Sequence, residues 1–207
     1  MTVKACFPTL IYFDKITENA SRNKKICNEL LEESFRIQEM DQEGQLWSVE
    51  NFVGGYTSYS SYSNLHQRSS TFANLKKKLD KHVHSFAKSL EYDIALKQLD
   101  MVSCWINIVP PGCFHSLHIH PLSTISGTIY LQVPKGSGQL RLEDPRMSRF
   151  MAAPPKKENA SFKNQSQLYF KPSLGKLILF ESWLRHEVEV NQGQGTRVSV
   201  SFNYSWI

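Results

Sequence analysis

The chain has 207 residues, a formal net charge of +5 and 41% hydrophobic residues. This length can bury a core without disulfides, and the composition is that of an ordinary globular domain, which excludes fibrous and disordered classes. The four scattered cysteines form no CxxC pair, no signal-peptide pattern is present, and no apolar run approaches the about 18 residues of a membrane span. We therefore expect one cytoplasmic domain over residues 1–207, without a membrane partner.

The N-terminal part, residues 1–96, is predicted to be an elaboration of helices and short strands. In chain order, the patterns predict a short strand within 1–13, a helix over 17–40 with Thr17 as N-cap, a loop with one short strand over 44–68, and a second helix over 70–90. The second helix contains His82-Val83-His84. Residues two apart on a helix diverge by about 200°, so this pair is excluded as a metal site.

From residue 97 to residue 207 the pattern changes to period two. Strands are predicted over 101–109, 124–133, 139–143, 167–170, 176–180, 187–190 and 196–206, separated by turns rich in Pro and Gly. With the histidine-rich segment after residue 112, about eight short strands result. That number favours a β-sandwich or a jelly-roll barrel as the core.

Residues 144–166 interrupt the strands with three prolines and several lysines. A loop this long inside a compact barrel is typical of a lid or flap, and its positive charge could meet an anionic ligand. The alternative is a solvated loop kept soluble by its lysines.

Three histidines form a candidate metal site. On a strand, His118 and His120 share one face and can bind one ion, and a distant His186 can complete the site if the fold brings two strands together. Neutral imidazoles suit Fe(II), Mn, Zn, Ni or Cu. His115 stands at an odd offset from His118, so we expect it on the opposite face of the strand, supporting a ligand or facing the substrate.

Several motifs resemble a family of 2-oxoglutarate- and Fe(II)-dependent oxygenases known chiefly from bacteria and their phages. They are His118-Ile119-His120-Pro121, Ser126-Gly127-Thr128-Ile129-Tyr130, Leu142-Glu143-Asp144-Pro145-Arg146, Phe180-Glu181-Ser182-Trp183-Leu184-Arg185-His186 and Arg197-Val198-Ser199-Val200-Ser201-Phe202-Asn203. The resemblance covers roughly residues 98–206. It implies a mainly β protein with N-terminal helices, built on a double-stranded β-helix, the jelly-roll or cupin-like barrel.

The resemblance also implies the ligands of the metal. The iron motif of the wider superfamily is His-x-Asp/Glu with a distal His, so His118 matches the first ligand and His186 the distal one. His120 stands at the acidic position, which departs from the usual two-histidine, one-carboxylate triad. Either the site has three histidines, or one of them is not a ligand. We predict His118, His120 and His186.

A basic residue after the distal histidine pairs with the far carboxylate of 2-oxoglutarate in this superfamily. Arg197 and Ser199, two residues on, fit that pattern. A guanidinium offers a planar fork of donors to a carboxylate, which is the physical reason for arginine there. Asn107 and Tyr130 are further candidates to bind the co-substrate by hydrogen bonds.

The resemblance implies an oxygenase with His118, His120, His186 and Arg197 as its catalytic residues, using Fe(II), 2-oxoglutarate and O2, which hydroxylates a small molecule or a protein and releases succinate and CO2. Two alternatives stay open: a cupin-type three-histidine dioxygenase that does not use 2-oxoglutarate, and a non-enzymatic jelly-roll binding protein. The sequence contains no clear nucleic-acid-binding motif. Long edge strands are compatible with a homodimer.

Overall fold

The computed structural model describes residues 1–95 and 98–207. Its helices are α1 (Ala20–Met40), α2 (Gln42–Asn51), α3 (Leu65–Arg68) and α4 (Ser70–Ser89), and its strands are β1 (Tyr12–Lys15), β2 (Tyr56–Thr57), β3 (Leu99–Val109), β4 (His115–His118), β5 (Ile125–Gln132), β6 (Leu140–Glu143), β7 (Gln167–Phe170), β8 (Lys176–Glu181), β9 (His186–Val188) and β10 (Arg197–Trp206). No helix in this part of the chain is long and apolar enough to cross a membrane. The predicted boundary between 1–96 and 97–207 falls on the residues outside the described ones.

The strands form two sheets. The major sheet has six strands in the order β1-β8-β5-β10-β3-β2, and the minor sheet has four in the order β4-β9-β6-β7. All strand pairs within the described residues are antiparallel. Eight of the strands, β3 to β10, lie in the C-terminal part, as predicted, and the double-stranded β-helix predicted from the resemblance is confirmed.

Alternation along β10 divides its side chains between two environments. The even-numbered residues from Val198 to Tyr204 are buried in the large apolar core that the major sheet shares with the helices. The odd-numbered residues from Arg197 to Asn203 are polar, and Arg197, Ser199 and Ser201 line a cavity between the two sheets. Because successive side chains of a strand point to opposite faces, one strand completes the core and one wall of the cavity.

Helices α1 and α4 cover the outer face of the major sheet. Cys27 and Leu30 of α1, and Phe72 and Phe86 of α4, are buried in the same apolar core. The prediction of the second helix is confirmed. Helix α1 begins three residues later than predicted, because the side chain of Asn19, and not of Thr17, accepts the capping hydrogen bond from the Arg22 amide.

Two N-terminal predictions were wrong. The predicted loop contains helix α2, which buries Gly44 and Ser48 and exposes Leu46 and Val49. An apolar stripe facing the core is the signal for a helix, and α2 has none. The strand predicted over 1–13 overlaps the observed strand only at Tyr12 and Phe13, since β1 pairs with β8 from Tyr12 to Lys15.

Candidate metal centre

The fold brings the three predicted histidines together. His118, the last residue of β4, lies opposite His186, the first residue of β9, in an antiparallel pair. His120 follows two residues after the end of β4. One nitrogen of each imidazole lies within 4.8 Å of a nitrogen of both others. The three side chains therefore offer three nitrogen ligands to one ion.

The segment around these histidines is not a regular strand. The register of β4 against β9 shifts between His115 and His118, and His120 lies outside the strand. The prediction that His115 faces away from His118 was therefore wrong. The two rings stack with their centroids 4.2 Å apart, and His115 also meets the edge of Phe52, with 5.1 Å between ring centroids.

Backbone carbonyls orient two of the three imidazoles. Nδ1 of His118 lies 2.6 Å from the Ser116 carbonyl oxygen, and Nδ1 of His186 lies 2.9 Å from that of Leu184. A carbonyl oxygen only accepts, so both Nδ1 atoms carry the proton and both Nε2 atoms have a free lone pair. Hydrogen bonds of this kind are typical of histidines that bind a metal through the other nitrogen.

Burial keeps these imidazoles neutral. It lowers the pKa of His120 to about 4 and the pKa of His186 well below its ordinary value, and it also lowers the pKa of His118. Burial of a charged imidazolium is unfavourable, and each neighbouring imidazole adds to that cost. Three neutral imidazoles are a donor set that first-row transition metals accept, so the site fits the predicted ion.

No carboxylate joins this cluster within the described part of the chain. Glu143 and Asp144, which follow the histidine-rich segment in the chain, form ion pairs with Arg185 and Arg146. The candidate ligands in the described part of the chain are therefore three imidazoles and no carboxylate.

Arg197 lies beside the histidines as a buried cation. Its side chain is 2% exposed and makes no ion pair with any acidic residue that the structure describes. One Nη donates to the Ser199 hydroxyl at 3.3 Å, whereas Nε has no hydrogen-bond partner. A buried charge without a partner is strongly unfavourable. An anion in the adjoining cavity would offset this cost.

The other two residues predicted to bind a co-substrate also lie here. Tyr130 is buried beneath the guanidinium, with the arginine Cζ 4.9 Å from the ring centroid, but it is not among the residues that line the cavity. Asn107 lines the cavity, and its amide accepts from Thr57 at 2.9 Å and donates to Ser201 at 3.0 Å. Asn107 is therefore the residue of the two that a ligand in the cavity can reach.

The sequence did not single out all of the cavity wall. Thr128 and Ser201 line it together with Arg197 and Ser199, and Ser201 could have been found by continuing the two-residue alternation of β10. Phe52, at the end of α2, closes another side. The backbone of Gly55 packs directly against the Phe52 ring, since a Cβ on Gly55 would lie 2.5 Å from that ring. No local pattern marks Phe52.

The basic loop over 144–166 lies elsewhere. Trp105 lines the histidine cavity, but neither this loop nor Trp183, which is 46% exposed, is among its lining residues. The two ends of the loop line a separate groove of about 750 Å³ together with the N-terminal segment and Trp183. Trp105 and Phe52 therefore shield the histidines, and the loop does not.

Comparison with known proteins shows what the barrel is similar to. Residues 103–203 match a family model described as "Putative 2OG-Fe(II) oxygenase". The fold and the three-histidine cluster define a jelly-roll protein with a candidate metal centre. The matched segment, which contains all three histidines and Arg197, is similar to the 2OG-Fe(II) oxygenases, where 2OG is 2-oxoglutarate. The predicted resemblance is confirmed.

Solved structures agree on the fold. A prolyl-4-hydroxylase from Pseudomonas putida is 18% identical with a TM-score of 0.64, over 96% of this chain and 94% of that one. The viral collagen prolyl hydroxylase of Paramecium Bursaria Chlorella virus-1, solved with 2-oxoglutarate, is 13% identical with a TM-score of 0.59, over 95% and 96%. The alpha-ketoglutarate-dependent epimerase SnoN of nogalamycin biosynthesis is 11% identical with a TM-score of 0.66, over 95% and 76%. No curated protein sequence matches significantly.

Proposed function

We propose that this protein is a non-haem Fe(II)- and 2-oxoglutarate-dependent oxygenase in which His118, His120 and His186 hold the iron and Arg197 binds the far carboxylate of 2-oxoglutarate. The observation that carries the proposal is the buried guanidinium without an acidic partner, which lines the same cavity as the three imidazoles. A dicarboxylate can satisfy both groups at once, since one end neutralises the arginine and the other reaches the ion.

Each residue has a definite task in this proposal. The carbonyls of Ser116 and Leu184 hold His118 and His186 with Nε2 toward the ion. The Ser199 hydroxyl accepts a hydrogen bond from the guanidinium, and the ring of Tyr130 lies beneath it. These fixed donors cost no reorganisation when the co-substrate binds.

Bound Fe(II) would supply the reaction of O2 with 2-oxoglutarate, releasing succinate and CO2 and oxidising a C–H bond of the substrate. The protein's part is to exclude water and to orient the two reactants. Trp105 and Phe52 support that part, since both line the cavity beside the histidines. We propose hydroxylation as the outcome, because two of the similar structures are prolyl hydroxylases.

A second candidate is a three-histidine dioxygenase that does not use 2-oxoglutarate. His120 favours it, because a third histidine replaces the carboxylate of the usual triad. Arg197 favours the first candidate, because such a dioxygenase has no need of a buried, unpaired guanidinium. The predicted cytoplasmic setting stays a prediction, with which the four free cysteines agree.

The test is an anaerobic titration of metal-free protein, first with Fe(II) and then with 2-oxoglutarate. The signal that is monitored is the weak visible charge-transfer band of a chelated 2-oxo acid. We expect a saturable band in the wild type and no iron binding in His186→Ala. Arg197→Met should bind iron but require at least about 100-fold more 2-oxoglutarate, since losing one partner of a buried pair costs about 3–5 kcal/mol.

The matched control is Arg141→Met, which removes a half-buried arginine that pairs with Glu187 in the minor sheet. It should leave the band intact. Iron binding without a band in the wild type would reject the 2-oxoglutarate reaction in favour of the three-histidine dioxygenase. Absence of iron binding would leave a jelly-roll binding protein.

A further inference from the structure

Helix α2 exposes its apolar side chains and buries its small polar ones. Gly44 and Ser48 are buried, whereas Leu46, Val49 and Val53 are 71–77% exposed. Leu46 and Val49 stand three positions apart, so they lie on one side of the helix, and Val53 follows just beyond its end. These three residues form an apolar stripe that faces solvent. Contiguous exposed apolar surface of this kind marks a site of interaction.

The same helix is acidic. Its ten residues include Glu43 and Glu50 and no Lys or Arg, so its formal charge is −2. Both glutamates are exposed, and neither makes an ion pair with a residue that the structure describes. They stand seven positions apart, which is about two helical turns, so they lie on the same side of α2. The apolar stripe is therefore accompanied by two unpaired carboxylates.

The groove between the basic loop and the N-terminal segment has the complementary character. The exposed part of its apolar wall includes Phe7, Phe162 and Trp183. The two acidic residues of the groove, Glu143 and Asp144, already pair with arginines. Lys4 and Lys163 also line it, are exposed, and make no ion pair within the described part of the chain. The groove therefore offers an apolar wall and two unpaired cations.

One copy of the chain cannot bring these two surfaces together. Helix α2 packs on β2, where the Ser48 hydroxyl accepts a 3.1 Å hydrogen bond from the Thr57 amide. The groove lies at the other edge of the barrel, beside the N-terminal segment that leads into β1 and beside Leu168 of β7. Strands β1 and β2 are the two edges of the major sheet, five strand spacings or about 24 Å apart. The stripe of one copy can therefore reach only the groove of another copy.

We propose that copies of this chain associate head to tail, with the apolar stripe of α2 from one copy in the groove of the next. In this contact Glu43 and Glu50 lie close to Lys4 and Lys163 of the neighbouring copy. An amphipathic helix in an apolar groove is a common mode of recognition, and opposite charges on the two surfaces select the partner. The inference goes beyond the proposed reaction and does not depend on the metal site.

The geometry also predicts the kind of assembly. Because the two surfaces differ and lie at opposite edges, the contact is heterologous, and a pair of copies still has one free stripe and one free groove. A helix of ten residues is about 15 Å long and offers less than the about 800 Å² that each partner buries in a stable complex. We therefore expect association that is weak and rises with protein concentration.

The first test is sedimentation velocity of the full chain from about 10 µM to about 1 mM, the range in which a contact this small is populated. The weight-average sedimentation coefficient should rise with concentration and should fall again in high salt, because salt screens exposed charges. A monomer over the whole range would overturn the inference and would leave the stripe and the groove to other partners.

Two double variants test the two surfaces separately. Leu46→Gln with Val49→Gln removes the stripe and keeps the charge of α2, and Lys4→Glu with Lys163→Glu reverses the unpaired charge of the groove. All four side chains are exposed, so both variants should fold. Each should stay monomeric at concentrations where the wild type associates. Association of either variant to the extent of the wild type would place the contact elsewhere and overturn the inference.

An equimolar mixture of the two variants gives the sharpest result. The first variant retains its groove and the second retains its stripe, so one contact can form between them and no further copy can add. We expect a complex of two copies that does not grow with concentration. A mixture that stays monomeric, although the wild type associates, would overturn the inference.

The matched controls change exposed residues outside both surfaces. Leu122→Gln removes an apolar side chain that is 100% exposed, and Lys77→Glu with Lys81→Glu makes the same change of charge on α4. Both should associate as the wild type does. Equal losses in the controls would show that net charge or general apolar exposure drives the association, which would also overturn the inference.

Discussion

The chain contains the pattern His-x-His twice, and the two copies have different surroundings. His82 and His84 lie on helix α4, whereas His118 and His120 lie at and just beyond the end of strand β4. Only the second copy joins a cluster of potential metal ligands in the described part of the chain. Two histidines at this spacing can therefore bind one ion only if the backbone directs both side chains to the same side.

Removing one histidine from each copy should produce the largest difference, which is in metal binding. We expect His118→Ala to abolish stoichiometric binding of Fe(II) or Zn(II), because two imidazoles remain and the backbone contact to Ser116 is lost. His82→Ala should bind metal as the wild type does. Calorimetric titration of both variants measures the difference. Equal loss in both would show that the helical pair belongs to a site.

Acidification should destabilise the folded protein through the barrel histidines, because burial keeps them neutral. The pKa of His120 is lowered to about 4 from the ordinary value of 6.5. Between those values the unfolded chain binds more protons than the folded one, so this group makes the protein less stable as pH falls from 6.5 toward 4. A single such group contributes a slope of up to about 1.4 kcal/mol per pH unit.

Thermal unfolding of the wild type and of His120→Gln between pH 7 and pH 4 measures that contribution. We expect the melting temperature of the wild type to fall more steeply with acid, because the variant lacks one buried titrating imidazole. Parallel curves would show that His120 is accessible to protons in the folded protein.

The smallest expected effect concerns the helical copy. Nδ1 of His82 lies 3.0 Å from the Tyr12 hydroxyl and 3.3 Å from a carboxylate oxygen of Asp14, so it ties α4 to β1. His82→Ala should lower stability by about 1 kcal/mol, the usual net value of one hydrogen bond. For a chain of this size that is a fall of about 2–4 °C in the melting temperature. An unchanged melting temperature would contradict the structural role of His82.

Local sequence patterns predicted most strands of the barrel, because alternating hydrophobic residues and turn residues can be read directly from the sequence. The strand over 167–170 was predicted to the residue, and the others within a few residues. Patterns failed where packing is polar or irregular. Helix α2 buries Gly44 and Ser48 and carries no apolar stripe, and the shifted register of β4 placed His115 on the side that simple alternation excludes.

Local sequence was enough to identify the kinds of group in this protein: two neighbouring imidazoles and a distant third, a basic residue after them, and enough alternating strands to form a barrel. Only the tertiary structure decided which groups meet. Pairing of β4 with β9 sets His118 against His186. Arg197 is buried and forms no ion pair with an acidic residue in the described part of the chain. Strands β10 and β5 bring Asn203 and Ser126 next to His120. Strand register and burial are long-range properties, since they depend on contacts between residues far apart in the chain, and no local pattern contains them.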